Sequence, residues 1–199
     1  MKIGIDIDEV LVDFVGGFLD FFNGKYGGSL KKEDCGQEVR FHEFLGISKE
    51  ASIGLFKEFD KHPGSKLVEV IEGAREGIEE LSKNHEIILI TARPKDIEGS
   101  TRELLECNFP GVKFNILFLG MSHSTEKKLA KAKKCIDENV DIMIDDDSDN
   151  AMDCAGNGIR CFLFDKPWNR NVKHEKISRV LSWKEIVEKI REMGDKNEE

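Results

Sequence analysis

The segment IGIDIDEV sets two carboxylates, Asp6 and Asp8, two residues apart at the end of an apolar run. Alternate side chains of an extended chain share a face, so the pair projects together from the strand tip. Like charges that close repel unless a cation sits between them. Three further clusters carry chemical groups. IILITAR ends a second apolar run in Thr91, Ala92 and Arg93, TEKKLAKAKK carries Lys127, Lys128, Lys131, Lys133 and Lys134, and DIMIDDDSDN ends in Asp145, Asp146 and Asp147 before Ser148. Each has an ordinary explanation alone: an Asp after a strand caps a helix or a turn, and a lysine run is a solvated helix face. Gathered at one edge of one sheet, they are the set that phosphoryl transfer requires.

In that chemistry, carboxylates from two strands hold a hard divalent cation, and the preference of Mg²⁺ for oxygen ligands makes it the expected cofactor. With the phosphate charge offset, Asp6 can attack phosphorus as a nucleophile. Asp8 can protonate the leaving oxygen and later activate water. The Thr91 hydroxyl, nearby backbone N–H groups such as that of Ala92, and a lysine ammonium neutralise the phosphoryl oxygens. Arg93 is assigned to substrate binding.

Such groups need a scaffold that brings strand ends together. Short bursts rich in Ile, Leu, Val and Phe, at residues 2–7, 87–91, 114–119, 141–144 and 159–164, are apolar on both faces, as buried parallel strands are. Between them residues 74–83, 100–107, 125–138 and 150–155 have helical spacing, and 182–193 closes the series. This alternation predicts an α/β fold, a doubly wound, Rossmann-like parallel sheet covered by helices, with ligands at the carboxyl ends of its strands. Residues 15–73 break the alternation with helical patterns alone, GGFLDFFNGKYG, KKEDCGQEVRFHEFLG and SKEASIGLFKEFDKH. They are expected to form a small helical cap inserted into a core made of residues 1–14 and 74–199.

The 199 residues, 39% apolar and 35% charged, suit one α/β domain with an insertion. A net charge of −9 argues against a nucleic-acid polymer as partner. No apolar stretch approaches the roughly 20 residues of a membrane helix, and no basic segment precedes an apolar signal core. The expectation is a cytoplasmic protein with no membrane partner. The five cysteines lie far apart, without the paired spacing of a zinc site, and read as free thiols. DDDSDN resembles half of a calcium-binding loop, but Asn150 stands where that loop needs Gly and Gly156 where it needs a bidentate Glu.

DIDEV, a Thr ending the second strand, a basic helix and an apolar Asp-Asp pattern, in that order, resemble the four motifs of the haloacid dehalogenase superfamily. Its commonest members are Mg²⁺-dependent phosphatases. The order differs from that of receiver domains, which share acidic, Thr and Lys parts. Within the superfamily, DIDEVLVDFVGGFLDFF resembles the 5′(3′)-deoxyribonucleotidase family, whose first motif reads DxDGVLxDF followed by a Gly-Gly-Phe helix. The insertion after that motif, MIDDD and FDKPWNR fit the same group.

The resemblance implies Asp6 as nucleophile and metal ligand, and Asp8 as acid/base and, through its backbone carbonyl, a metal ligand. It implies Thr91 as the phosphate-binding hydroxyl, and Asp146 as a direct metal ligand supported by Asp145. Glu9 departs from the family's Gly, which bears on the turn beside the nucleophile. The lysine of the third motif is either Lys131, by its spacing to Asp145, or Lys128, nearer the helix start, and Arg102 is the candidate if the cation comes from the preceding helix. Phe14 takes the position that packs against the base in the nucleotidases, with Phe41 and Phe44 able to extend an aromatic wall. The alternative is that these rings are core of the cap. Both tryptophans, Trp168 and Trp183, follow the fourth motif, so the cap has none.

The function implied is a Mg²⁺-dependent phosphomonoester hydrolase working through an aspartyl-phosphate, with a small phosphorylated substrate, a nucleoside monophosphate. The alternatives are a phosphatase of another small metabolite, a phosphotransferase and a non-catalytic binding module. Dehalogenation ranks last because it would leave Asp145 and Asp146 without a metal to hold. Sequence leaves the oligomeric state open.

Overall fold

Lys2–Ile5 forms β1 at the heart of a six-stranded sheet, with Ile5 beside Leu89 on one side and Ile144 on the other. The computed structural model describes residues 1–35, 41–120 and 129–195. The other strands are β2 (Glu86–Thr91), β3 (Asn115–Phe118), β4 (Ile142–Asp145), β5 (Arg160–Phe164) and β6 (Ile177–Val180). They lie in the order β3-β2-β1-β4-β5-β6, every pair parallel.

Strand alternation sorts the apolar side chains onto two faces. Ile3, Ile5, Leu89, Ile142, Ile144, Phe162 and Phe164 share one core cluster with α4 (Ala74–Leu81), α5 (Glu98–Asn108) and α8 (Trp183–Asp195). Ile88, Ile90, Met143, Cys161 and Leu163 share the other with α6 (Leu129–Asp137) and α7 (Ser148–Gly156). Helices on both faces of a parallel sheet are the doubly wound arrangement that the alternating pattern predicts. In α8, Trp183, Ile186 and Ile190 recur at helical spacing and are buried. Burying each aliphatic side chain contributes about 1.5–3 kcal/mol. Gly77 lets α4 lie against Trp183: a Cβ there would sit 2.5 Å from its ring, so Gly77→Val would force the two helices apart.

Two departures from expectation stand out. The first strand ends at Ile5 rather than Ile7, because the chain turns there: Leu11 and Val12 both donate to the Ile7 carbonyl. Asp6 still donates its N–H to Ile144 O at 3.0 Å, one step beyond the strand. The sixth strand, ISRV, was not expected, because it is short and half polar. It forms by pairing along β5, where only Val180 is buried.

The described residues between β1 and α4 form helices joined by turns. Asp13 accepts the Gly16 N–H at 2.8 Å to cap α1 (Phe14–Tyr26), which ends at Gly27 in the left-handed conformation. A 3₁₀ turn at Lys32–Asp34, a short α2 (Phe41–Phe44), and α3 (Lys49–Lys61), capped by Ser48, follow. Pro63 then starts another 3₁₀ turn. The aromatic rings of Phe14, Phe18, Phe41, Phe56 and Phe59 interlock, with Phe18 and Phe56 4.8 Å apart at their centroids. The segment enters and leaves through two short antiparallel stretches: Asp13 N donates to Glu69 O and Ile71 N to Leu11 O. No helix among the described residues is long and apolar enough to cross a membrane, and all five cysteines are free.

Candidate active site

The parity of the strands decides where the acidic groups point. Asp6 and Asp145 each follow a residue of the α4/α5/α8 face, so both turn to the face covered by α6, from which Lys131 reaches in. The Lys131 ammonium, fully buried, lies 2.8 Å from Asp145 Oδ2 and 3.2 Å from Asp6 Oδ2. Asp145 Oδ1 accepts the Asp147 N–H at 2.9 Å, so both oxygens of Asp145 are engaged. Asp146 accepts the Trp168 indole N–H at 3.0 Å, and Asn169 Nδ2 donates to its backbone carbonyl at 2.7 Å. Arg179 in turn donates to Asn169 Oδ1 and O.

Oxygens of Asp6, Asp145 and Asp146 all lie within 4.8 Å of one another, the one such acidic group among the described residues. Three buried carboxyls against one ammonium leave an excess of negative charge. Burial, outweighing Lys131, pushes Asp6 up to about 7, and burial together with Asp145 and Asp6 holds Asp146 well above the carboxylate range. Burial opposes the charge of Lys131, but Asp145 and Asp6 outweigh it and keep the ammonium protonated beyond its ordinary range. Asp6 Oδ1 is buried without a hydrogen-bond partner. An orphaned carboxylate oxygen among hard oxygen donors, with no thiolate or imidazole in the group, fits a divalent cation of the Mg²⁺ type.

Asp8 stands apart from that group. Its carboxylate receives Arg93 Nη2 at 2.6 Å and Nε at 3.0 Å, while the Lys131 ammonium lies beside Asp6. Arg93 also donates to Thr101 Oγ1 at 3.2 Å and stacks 5.6 Å from the Phe14 ring. Thr91, fully buried at the end of β2, accepts the Arg93 N–H at 3.2 Å, with half-buried Ala92 between them. Phe14 also packs on Phe56 and Phe59, and Phe41 on Phe18 and Phe56, which is the packing of an aromatic core. Phe44 packs on Phe41. Arg102 is half-exposed and pairs with Glu98 on its own helix, not with the acidic group. Lys127 and Lys128 lie outside the described residues. Asp147 caps α7 through the Asn150 N–H at 2.8 Å.

Sequence reasoning missed Trp168, Asn169 and Arg179. The signal was available in part: PWN directly follows β5, whose carboxyl end lies on the same sheet edge as the acidic residues.

The family described as 5′ nucleotidase, deoxy (pyrimidine), cytosolic type C protein matches residues 1–194. A nucleotidase of Clostridium acetobutylicum is 26% identical over 200 residues, covering 100% of this chain and 97% of the relative. A 5′(3′)-deoxyribonucleotidase of Bacillus subtilis is 28% identical over 195 residues, covering 94% and 97%. Among solved structures, a haloacid dehalogenase family hydrolase of Deinococcus radiodurans, with bound phosphate and sodium, superposes with a TM-score of 0.68 at 16% identity, covering 97% of this chain and 96% of its own. A haloacid dehalogenase-like hydrolase of Streptococcus pneumoniae gives 0.68 at 15%, covering 95% and 97%.

Proposed function

The chain belongs to the family of cytosolic type C 5′-nucleotidases, a group of phosphomonoester hydrolases on the haloacid dehalogenase fold, and from that premise we propose a Mg²⁺-dependent hydrolase of nucleoside monophosphates working through an aspartyl-phosphate. The observation that carries the reading is the buried group of Asp6, Asp145, Asp146 and Lys131 at the carboxyl edge of the sheet.

Asp6 and Asp146, with the Asp8 backbone carbonyl, would hold the cation, which when bound supplies positive charge against the phosphoryl group. Asp145 supports them, its own oxygens already taken by Lys131 and the Asp147 N–H. Asp6 attacks phosphorus and the bond to the leaving oxygen breaks; Asp8 gives that oxygen its proton. In the second half Asp8 takes a proton from water, which attacks the acyl phosphate and frees Asp6. Arg93 fixes the Asp8 carboxylate for both halves. Arg93 holds both oxygens of that carboxylate, so one of its hydrogen bonds must yield when Asp8 carries the proton. Lys131 orients Asp6 and offsets part of the burial that disfavours its charge, and Thr91 and the backbone beside it receive the phosphoryl oxygens. Residues 15–73 act as a cap on the core of 1–14 and 74–199, with the paired connectors at Val12 and Val70 as its root.

The nucleotide is supported by the family and by the names of the relatives. One observation favours a second reading, a phosphatase of another small metabolite: the Phe14 ring is already enclosed by Phe56, Phe59 and Arg93. Phosphate release from nucleoside monophosphates and from p-nitrophenyl phosphate, with Mg²⁺ and with EDTA, tests both. Turnover of neither substrate class with Mg²⁺ would overturn the hydrolase mechanism, and turnover of p-nitrophenyl phosphate alone would remove the nucleotide.

A further inference from the structure

Glu9 occupies a position that its residue type disfavours. Its φ is +60°, the left-handed region that suits glycine, and it is one of two non-glycine residues there among those described, with Asn139. It is also a carboxylate with 3% of its surface exposed. A residue disfavoured on both counts persists where its surroundings over-determine it.

Those surroundings come from three parts of the chain. Glu9 Oε1 accepts the Val15 N–H in the first turn of α1 at 2.8 Å. Oε2 pairs with Lys166 at 3.2 Å, in the segment after β5, and with Lys32, in the 3₁₀ turn of the insertion. Lys32 also bonds Asp13 Oδ1 at 2.6 Å, so two carboxylates meet two ammonium groups and the cluster is neutral. Two residues beyond Lys166, Trp168 holds the Asp146 carboxylate. Glu9 N–H closes the turn itself by donating to Val12 O at 2.8 Å.

We propose that Glu9 is a positioning residue: it latches the helical insertion and the Lys166–Asn169 segment to the turn that carries Asp6 and Asp8. A glycine here would make the same turn without strain but would leave Lys32 and Lys166 with no common anchor. The side chain therefore serves the contact between parts rather than the turn. The inference rests on the reading of Asp6 and Asp8 as the reacting carboxylates.

The test uses the full chain with Mg²⁺ and p-nitrophenyl phosphate, comparing wild type, Glu9→Gly, Glu9→Gln, Lys32→Met and the double variant Glu9→Gln/Lys32→Met, with amide hydrogen exchange alongside. Glu9→Gly and Glu9→Gln are expected to lose about ten- to a hundredfold in kcat, the scale of a small misplacement of reacting groups. Amides of α1 and of Lys32–Asp34 should exchange at least about tenfold faster while those of β1 and β4 keep wild-type rates. The double variant should be no worse than the poorer single one, because the two residues act through one contact. Wild-type kcat and exchange in Glu9→Gly, or losses that multiply in the double variant, would overturn the latch. Asp6→Asn in the same series separates the two ideas: if it keeps its turnover the reading of the reacting carboxylates falls, while the exchange rates still decide whether Glu9 latches the insertion.

Discussion

Replacing Lys131 by Met keeps most of the side chain's length and removes its charge. In the native protein this ammonium is fully buried, 2.8 Å from Asp145 and 3.2 Å from Asp6. The variant leaves those carboxyls facing each other, with Asp146 close by and no cation. Removing one partner of a buried ion pair costs about 3–5 kcal/mol. For a chain of this size each kcal/mol lowers Tm by about 2–4 °C, so the expected fall is about 6–20 °C when EDTA strips any bound metal. Removing Asp145 as well, in Lys131→Met/Asp145→Leu, takes away the charge left stranded and should recover at least half of the loss. Circular dichroism melts in EDTA at matched protein concentration measure this directly. A single variant within about 2 °C of wild type, or a double variant less stable than the single, would refute the assignment of Lys131 as the counter-charge of the buried acids.

Asp6→Asn, nearly the same size but a poor nucleophile, should abolish turnover and the acid-quenched phosphoenzyme with little change in Tm, and Asp8→Asn should lose about 10²- to 10⁴-fold in kcat. Mg²⁺ titration followed by calorimetry should show a larger loss of affinity for Asp146→Ala than for Asp147→Ala, whose main effect should be about 1 kcal/mol of stability from the lost cap on α7. Phe14→Ala should lower kcat/KM for a deoxynucleoside monophosphate about 5- to 150-fold if the ring stacks on a base, with a much smaller fall for p-nitrophenyl phosphate. Parallel losses on both substrates would assign Phe14 to the packing around Arg93 and Phe59 instead.

Much of this was legible because strand ends and spacing carry it. The apolar bursts before Asp6, Thr91 and Asp145 predict buried parallel strands, and the structure aligns their carboxyl ends. The resemblance leaves the lysine of the third motif between Lys131 and Lys128; Lys131 reaches both acids, and Lys128 lies outside the described residues. What sequence did not reveal depends on contacts between distant segments. Nothing local marks Arg93 as the partner of Asp8, 85 residues away, or Trp168 as the donor to Asp146. The sixth strand escaped notice because an edge strand with one buried residue has little apolar pattern to read. Glu9 was visible only as an exception, and its reason lies in Lys32 and Lys166, 157 residues apart from it in the second case.

The antiparallel pairing of Val12 with Val70 has a consequence for how this architecture can diversify. Because the chain leaves at Asp13 and returns at Glu69 side by side, the sheet meets the same pair of anchor points whatever lies between them. Loop-closure entropy grows only slowly with length, about 0.6 kcal/mol per doubling. Segments of quite different size could therefore be exchanged at this junction like cassettes, and selection on what sits above the acidic residues could proceed almost independently of selection on the strands that carry them.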